Sequence, residues 1–96
     1  MNLSLDYDDT YTRDPEFWDG FIRSARKRGH KVYCVTMRHS FPSKEAYEVA
    51  DSLNGKVDAM FFTARKGKRD FMYEQGICID VWIDDRPDFI VMNAAS

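Results

Sequence analysis

Leu3 and Leu5 alternate with polar neighbours, the period-two pattern of a short strand. At Phe17, Trp18, Phe21, Ile22 and Ala25 the apolar positions change to helical spacing, a wide stripe expected to face the core. Asp14-Pro15-Glu16 predicts where that helix starts. Asp14 can cap it, Pro15 suits the first helical position, and Glu16 favours the positive end of the dipole. Arg26, Lys27 and Arg28 complement its other end, and Gly29 can supply a left-handed cap. Residues 31–37 read as a second, β-branched strand, and the following Arg38, His39 and Ser40 as a loop. Ser43 is expected to cap a helix over Lys44–Leu53, with Ala46, Ala50 and Leu53 inward and Asn54-Gly55 ending it. A third strand over 56–63, a basic loop over 65–69, a short helix through Tyr73 ending at Gly76, and a fourth strand over 78–83 follow. The stretch from Pro87 is too short for its pattern to assign it.

Strand alternating with helix predicts a single α/β domain over 1–96, a three-layer Rossmann-like sandwich with a short parallel sheet. Right-handed crossovers place the second strand beside the first and the third beyond it. The acids that follow the first and fourth strands help each other only if those strands are neighbours. The expected order is therefore 3-2-1-4, with the reversal between strands 1 and 4. Open α/β sheets bind ligands at such a reversal, beyond the carboxyl ends of the strands. Asp6, Thr36, Thr63 and Asp84 all fall there.

Composition narrows the setting. Ninety-six residues, 44% hydrophobic and 31% charged, are those of an ordinary globular domain, and a net charge of −2 imposes neither nucleic acid nor membrane as partner. No apolar run approaches the roughly 20 residues of a membrane span, and no secretion signal is visible. Cys34 and Cys78 sit far apart in apolar runs, which predicts two small buried side chains rather than a disulfide or zinc site. A reducing cytoplasm is the expected location.

The chemistry concentrates in Asp6-Tyr7-Asp8-Asp9-Thr10. Residues i and i+2 of a strand share a face, so Asp6 and Asp8 are expected to point together. Two such carboxylates repel unless a cation or a shared proton lies between them. An acidic turn with no further role is the other reading of this stretch alone. A second pair, Asp84 and Asp85, follows the fourth strand. Several carboxylates at one point select a hard divalent cation, with Mg²⁺ the expected cofactor. A hydroxyl and an ammonium beside them suit a phosphoryl group. A carboxylate can also attack phosphorus, and a second carboxyl can protonate the leaving group and then activate water.

These residues resemble the motifs of the haloacid dehalogenase-like (HAD) phosphohydrolases. Asp6-Tyr7-Asp8-Asp9-Thr10 is similar to the family's Asp-x-Asp-x-Thr after an N-terminal strand. The strand ending at Thr36, a lysine before the last catalytic strand (Lys68 fitting better than Lys66), and the strand ending in Asp84-Asp85 match the other three motifs. The Ile-Asp-Asp-Arg-Pro wording looks like that of small phage or bacterial members. The resemblance implies that Asp6 is the nucleophile and a Mg²⁺ ligand. It makes Asp8 the general acid/base, offering its backbone carbonyl to the metal. Thr36 and Lys68 would hold the transferring phosphoryl group, Asp85 would complete the metal ligands and Asp84 would orient the site. Many members have Gly where this chain has Asp9, and the chain has no insertion that would form a cap domain.

Thr10, Arg38 and Lys66 are further candidate substrate contacts. The basic residues Arg38, Arg65, Lys66 and Arg69 suit a polyanion such as a nucleic-acid end, while a nucleotide, a sugar phosphate and a phosphoprotein stay open as substrates. Without a cap, the substrate or the second chain of a homodimer is expected to cover the site. Two other classes use the same residue types. A receiver-like phosphorylation switch also groups acids, a hydroxyl and a lysine around Mg²⁺, but its acidic pair opens the chain. A catalytically silent phosphate- and metal-binding module needs no second acid such as Asp8.

Overall fold

Leu3 and Leu5 are buried, and the strand they define, β1 (Asn2–Leu5), lies inside the sheet. The computed structural model describes residues 1–95. In it β2 (Lys31–Thr36) pairs with β1 on one side and with β3 (Ala59–Phe62) on the other, while β4 (Val81–Ile83) lies along the free side of β1. All three pairings are parallel and the order is β3-β2-β1-β4, the order expected. Leu5 stands opposite both Cys34 and Ile83, and Thr36 opposite Phe62. The carboxyl ends of all four strands therefore come out along one edge of the sheet, those of β2 and β3 two residues beyond those of β1 and β4, with the reversal between β1 and β4.

The connections are short. A 3-10 turn (Tyr11–Arg13) and α1 (Pro15–Lys27) join β1 to β2, and α2 (Lys44–Leu53) joins β2 to β3. From β3 the chain reaches β4 through α3 (Lys68–Glu74), and α4 (Asp88–Val91) follows β4. The caps are those the sequence predicts. The Asp14 carboxylate accepts the Phe17 N–H at 3.3 Å and the Ser43 hydroxyl accepts that of Ala46 at 3.1 Å.

Leu3, Leu5, Val32 and Cys34 share one cluster with Ile22 and Ala25 of α1 and Ala46, Val49 and Leu53 of α2. Each fully buried Leu or Val there stabilises the fold by about 1.5–3 kcal/mol. Three expectations are corrected. Val49, not Ala50, is the inward residue of α2, because positions 46, 49 and 53 follow one stripe as well as 46, 50 and 53 do. Phe17 lies outside the core, its ring exposed and packed edge-on against Trp18 in the first turn of α1. Cys78 is exposed, because β4 pairs only from Val81 onward and Cys78 precedes it as loop. The third and second strands are also shorter than expected, by their outermost residues. Among the described residues no helix is long and apolar enough to cross a membrane.

Candidate active site

Strand β1 stops at Leu5, and backbone hydrogen bonds define what comes next. The Asp6 N–H donates to the Ile83 carbonyl at 3.0 Å, and the Asp6 carbonyl accepts the Tyr11 N–H at 3.2 Å. The chain turns back at once, with Asp9 in the left-handed region at φ 59°. Asp tolerates that conformation better than most residues with a side chain, so it keeps the turn that glycine would otherwise provide. The turn brings the Thr10 hydroxyl between two acids, 3.3 Å from Asp6 Oδ2 and 3.2 Å from Asp85 Oδ1, where it also accepts the Asp85 N–H at 3.2 Å. Thr10 thus braces the carboxylates.

The inner group is built around Lys68, the first residue of α3 and almost wholly buried. Its ammonium donates to Asp6 Oδ1 at 2.8 Å and to Asp84 Oδ2 at 2.6 Å. The other Asp84 oxygen accepts the Arg86 N–H at 2.9 Å. Burial works against the Lys68 charge, yet the Asp6 and Asp84 carboxylates outweigh it and hold its pKa above the ordinary value. For Asp6 the balance goes the other way. Burial, with Asp85 and Asp84 close by, pushes its carboxyl up from 3.8 to about 7 despite Lys68. Asp85 also feels burial, but hydrogen bonds from the Asp6 carboxyl and the Thr10 hydroxyl bring its pKa below the usual carboxylate value. Three acids thus face one ammonium.

The outer group is different. Asp8 is exposed, and both its oxygens are taken by Arg38, from Nε at 3.0 Å and Nη2 at 2.7 Å. Arg38 also donates to the Glu48 carboxylate at 3.0 Å and the Glu45 carbonyl at 2.9 Å, and lies 4.9 Å above the Tyr7 ring. Tyr7 is buried, its hydroxyl 2.8 Å from that of Ser52. Hydrogen bonds donated to Asp8, and next to Glu48, raise the Arg38 pKa above its ordinary value despite burial. Asp6 and Asp8 therefore do not share a strand face, because the turn has already begun. They still border the same cleft.

That cleft, about 180 Å³, lies at the carboxyl ends of the strands and is lined by Asp6, Asp8, Thr36, Lys68, Asp84 and Asp85. The Thr36 hydroxyl accepts the Arg38 N–H at 3.4 Å and keeps its own proton for donation. Of the two loop lysines only Lys68 enters; Lys66 is exposed and lines no part of the cleft. Arg38 also stays off its lining, and Arg69 and His39 are exposed outside it. Arg65, Arg86, Phe89 and Ala94 reach it instead. Only Arg65 among these was a candidate, since residues 86–94 carry no periodicity long enough to place them.

Asp6, Asp84 and Asp85 each offer an oxygen, all within 4.8 Å of one another. A hard divalent cation fits such an oxygen set, and would relieve the crowding that lifts Asp6. The Asp8 carboxylate is not part of it, being held by Arg38. A scan of protein-family models and searches of curated proteins and solved structures give no match to this chain.

Proposed function

We propose that this protein is a Mg²⁺-dependent phosphohydrolase of the HAD-like type that cleaves a phosphate monoester through an aspartyl phosphate. The observation that carries the reading is the buried Asp6–Lys68 pair, set in one cleft with Thr36, Asp84 and Asp85. In this reading an Asp6 oxygen attacks phosphorus while the bond to the leaving oxygen breaks, and Asp8 gives that oxygen its proton. Asp8 then takes a proton from water, which attacks phosphorus and releases Asp6. Lys68 and the Thr36 hydroxyl hold the phosphoryl oxygens as charge shifts onto them. Asp6, Asp84 and Asp85 would hold the metal, with Asp8 adding its backbone carbonyl. When bound, the cation neutralises charge on the transferring group. Asp8 serves as acid and base only after its carboxylate is released from Arg38, so substrate binding must loosen that pair.

The three-layer sandwich belongs to the same reading. Helices α1 and α2 share the Leu3–Cys34 cluster, and the buried Met72 of α3 lies outside it. Free Cys34 and Cys78 agree with a reducing, cytoplasmic setting. The test is turnover of 4-nitrophenyl phosphate with and without Mg²⁺. Release of phosphate that stops when Mg²⁺ is chelated is expected. No turnover with Mg²⁺ and this substrate at high concentration would refute the reading.

A further inference from the structure

Two cations border the cleft without a carboxylate partner among the described residues. Lys68 is shared by Asp6 and Asp84, and Arg38 is spent on Asp8 and Glu48. Arg65 and Arg86 line the cleft, yet neither belongs to any ion pair there.

The backbone of each is fixed at the cleft. Arg65 sits at φ 73° after Ala64 at φ 53°, two consecutive left-handed residues that are not glycine. Such conformations persist only where surrounding bonds enforce them. Here the Ala64 N–H donates to the Arg38 carbonyl at 3.2 Å and the Arg65 N–H to the Met37 carbonyl at 2.9 Å, while the Arg65 carbonyl accepts the Ala94 N–H at 2.8 Å. Arg86 is fixed by its N–H bond to Asp84 Oδ1, and its guanidinium lies 4.6 Å above the Phe89 ring. Stacking covers one face of the guanidinium and leaves its edge donors free.

Space decides what those donors meet. A cleft of about 180 Å³ is smaller than the ~300–1,000 Å³ that takes a drug-sized ligand. A phosphoryl group fits inside it with little room to spare for a larger group, so the next part of the substrate meets the exposed Arg65 and Arg86. We propose that Arg65 and Arg86 form a second anion subsite there, selecting substrates whose next group is a phosphate. This rests on the phosphohydrolase reading and deepens it. The chemistry has two sources, the second phosphate of a small bisphosphate or the adjoining phosphodiester of an oligonucleotide.

The experiment compares kcat/KM for 4-nitrophenyl phosphate, a nucleoside 3′,5′-bisphosphate and a 5′-phosphorylated tetranucleotide, in wild type, Arg65→Gln, Arg86→Gln and the double variant. The ratio of either polyanion to the aryl phosphate should exceed roughly tenfold in wild type. Each substitution should lower it by roughly tenfold, the scale of one charged hydrogen-bond partner. Arg86→Lys should restore part of it, since a general charge effect survives where the planar fork is lost. A preference for the tetranucleotide that weakens with salt identifies the phosphodiester; equal ratios for both identify any adjacent phosphate. Turnover of the aryl phosphate with ratios near one, or ratios indifferent to both substitutions, would overturn the subsite and leave the phosphohydrolase reading standing. If nothing is turned over, calorimetry of the bisphosphate decides. Binding lost in the double variant supports the subsite alone, and binding unchanged there overturns it.

Discussion

Asp6 and Asp8 are the same residue type, with only Tyr7 between them, yet they occupy opposite regimes. Asp6 is buried, shares its single cation with Asp84, and has its carboxyl pushed up to about 7 by burial. Asp8 is half exposed at the side chain and accepts from two Arg38 nitrogens, Nε and Nη2, in a planar fork. Each group sets two paired carboxylates against one cation, but Asp6 and Asp84 are buried around Lys68 while Asp8 and Glu48 face water around Arg38. Environment rather than residue type divides such roles. An under-neutralised buried carboxylate is suited to metal and to phosphorus. A surface carboxylate open to water is suited to carrying a proton in and out.

The largest contrast should appear in catalysis. Asp6→Asn removes the attacking oxygen while keeping its size, so phosphatase kcat should fall by more than about 10⁴-fold. Asp8→Asn removes only proton transfer and should cost roughly 10²–10⁴-fold. Circular dichroism should show both variants folded. Near-normal turnover in Asp6→Asn protein would remove the covalent route, and near-normal turnover in Asp8→Asn protein would erase the division between the two groups.

Stability should separate the groups next. Lys68→Met strands two carboxylates in a buried site, and breaking a buried pair from one side costs about 3–5 kcal/mol. Arg38→Met leaves Asp8 and Glu48 facing water, so its loss should be nearer 1 kcal/mol, mostly from the stacking on Tyr7 and the bond to the Glu45 carbonyl. Urea unfolding at pH 8 measures both. A costlier Arg38 substitution would mean that the outer pair, not the inner one, holds the strand ends together.

How far the sequence reveals this depends on the kind of signal. Periodicity and caps place α2 at the expected bounds, and crossover handedness together with the two acid pairs places β4 beside β1. The inner acids are legible for the same reason, since Asp6, Asp84 and Asp85 follow directly from strand ends, whereas Lys68 opens α3 and only its fit to a family motif sets it above Lys66. The Arg38–Asp8 fork is not legible, because strand alternation stops mattering once the chain turns after Asp6. Lys66 and Arg65 exchange roles through two left-handed residues, a feature no hydrophobic pattern encodes. Phe17 shows the complementary limit. Helical spacing says which residues share a face, not how far the sheet extends beneath it.

The smallest contrast lies in how metal binding depends on pH. A carboxyl raised in the folded state from 3.8 to about 7 favours the metal-free fold at low pH, and that contribution is lost as pH rises toward 7. Asp85 has the opposite sign, its lowered pKa acting only on acidification below the ordinary carboxylate value. Lys68 loses its contribution only in alkali, above the ordinary lysine value. Between pH 5.5 and 8 Asp6 therefore governs. A divalent cation needs Asp6 ionised, so below pH 7 binding must expel a proton. Mg²⁺ affinity should then weaken by up to about tenfold for each unit of pH, about 1.4 kcal/mol. The rise in Tm on adding Mg²⁺ should be clearly larger at pH 8 than at pH 5.5, and Asp6→Asn should remove most of that difference. The outer group predicts no such trend, since Asp8 is already matched by Arg38. An equal Mg²⁺ shift at both pH values in wild type would move the cation away from Asp6 and make the inner group a structural ion cluster.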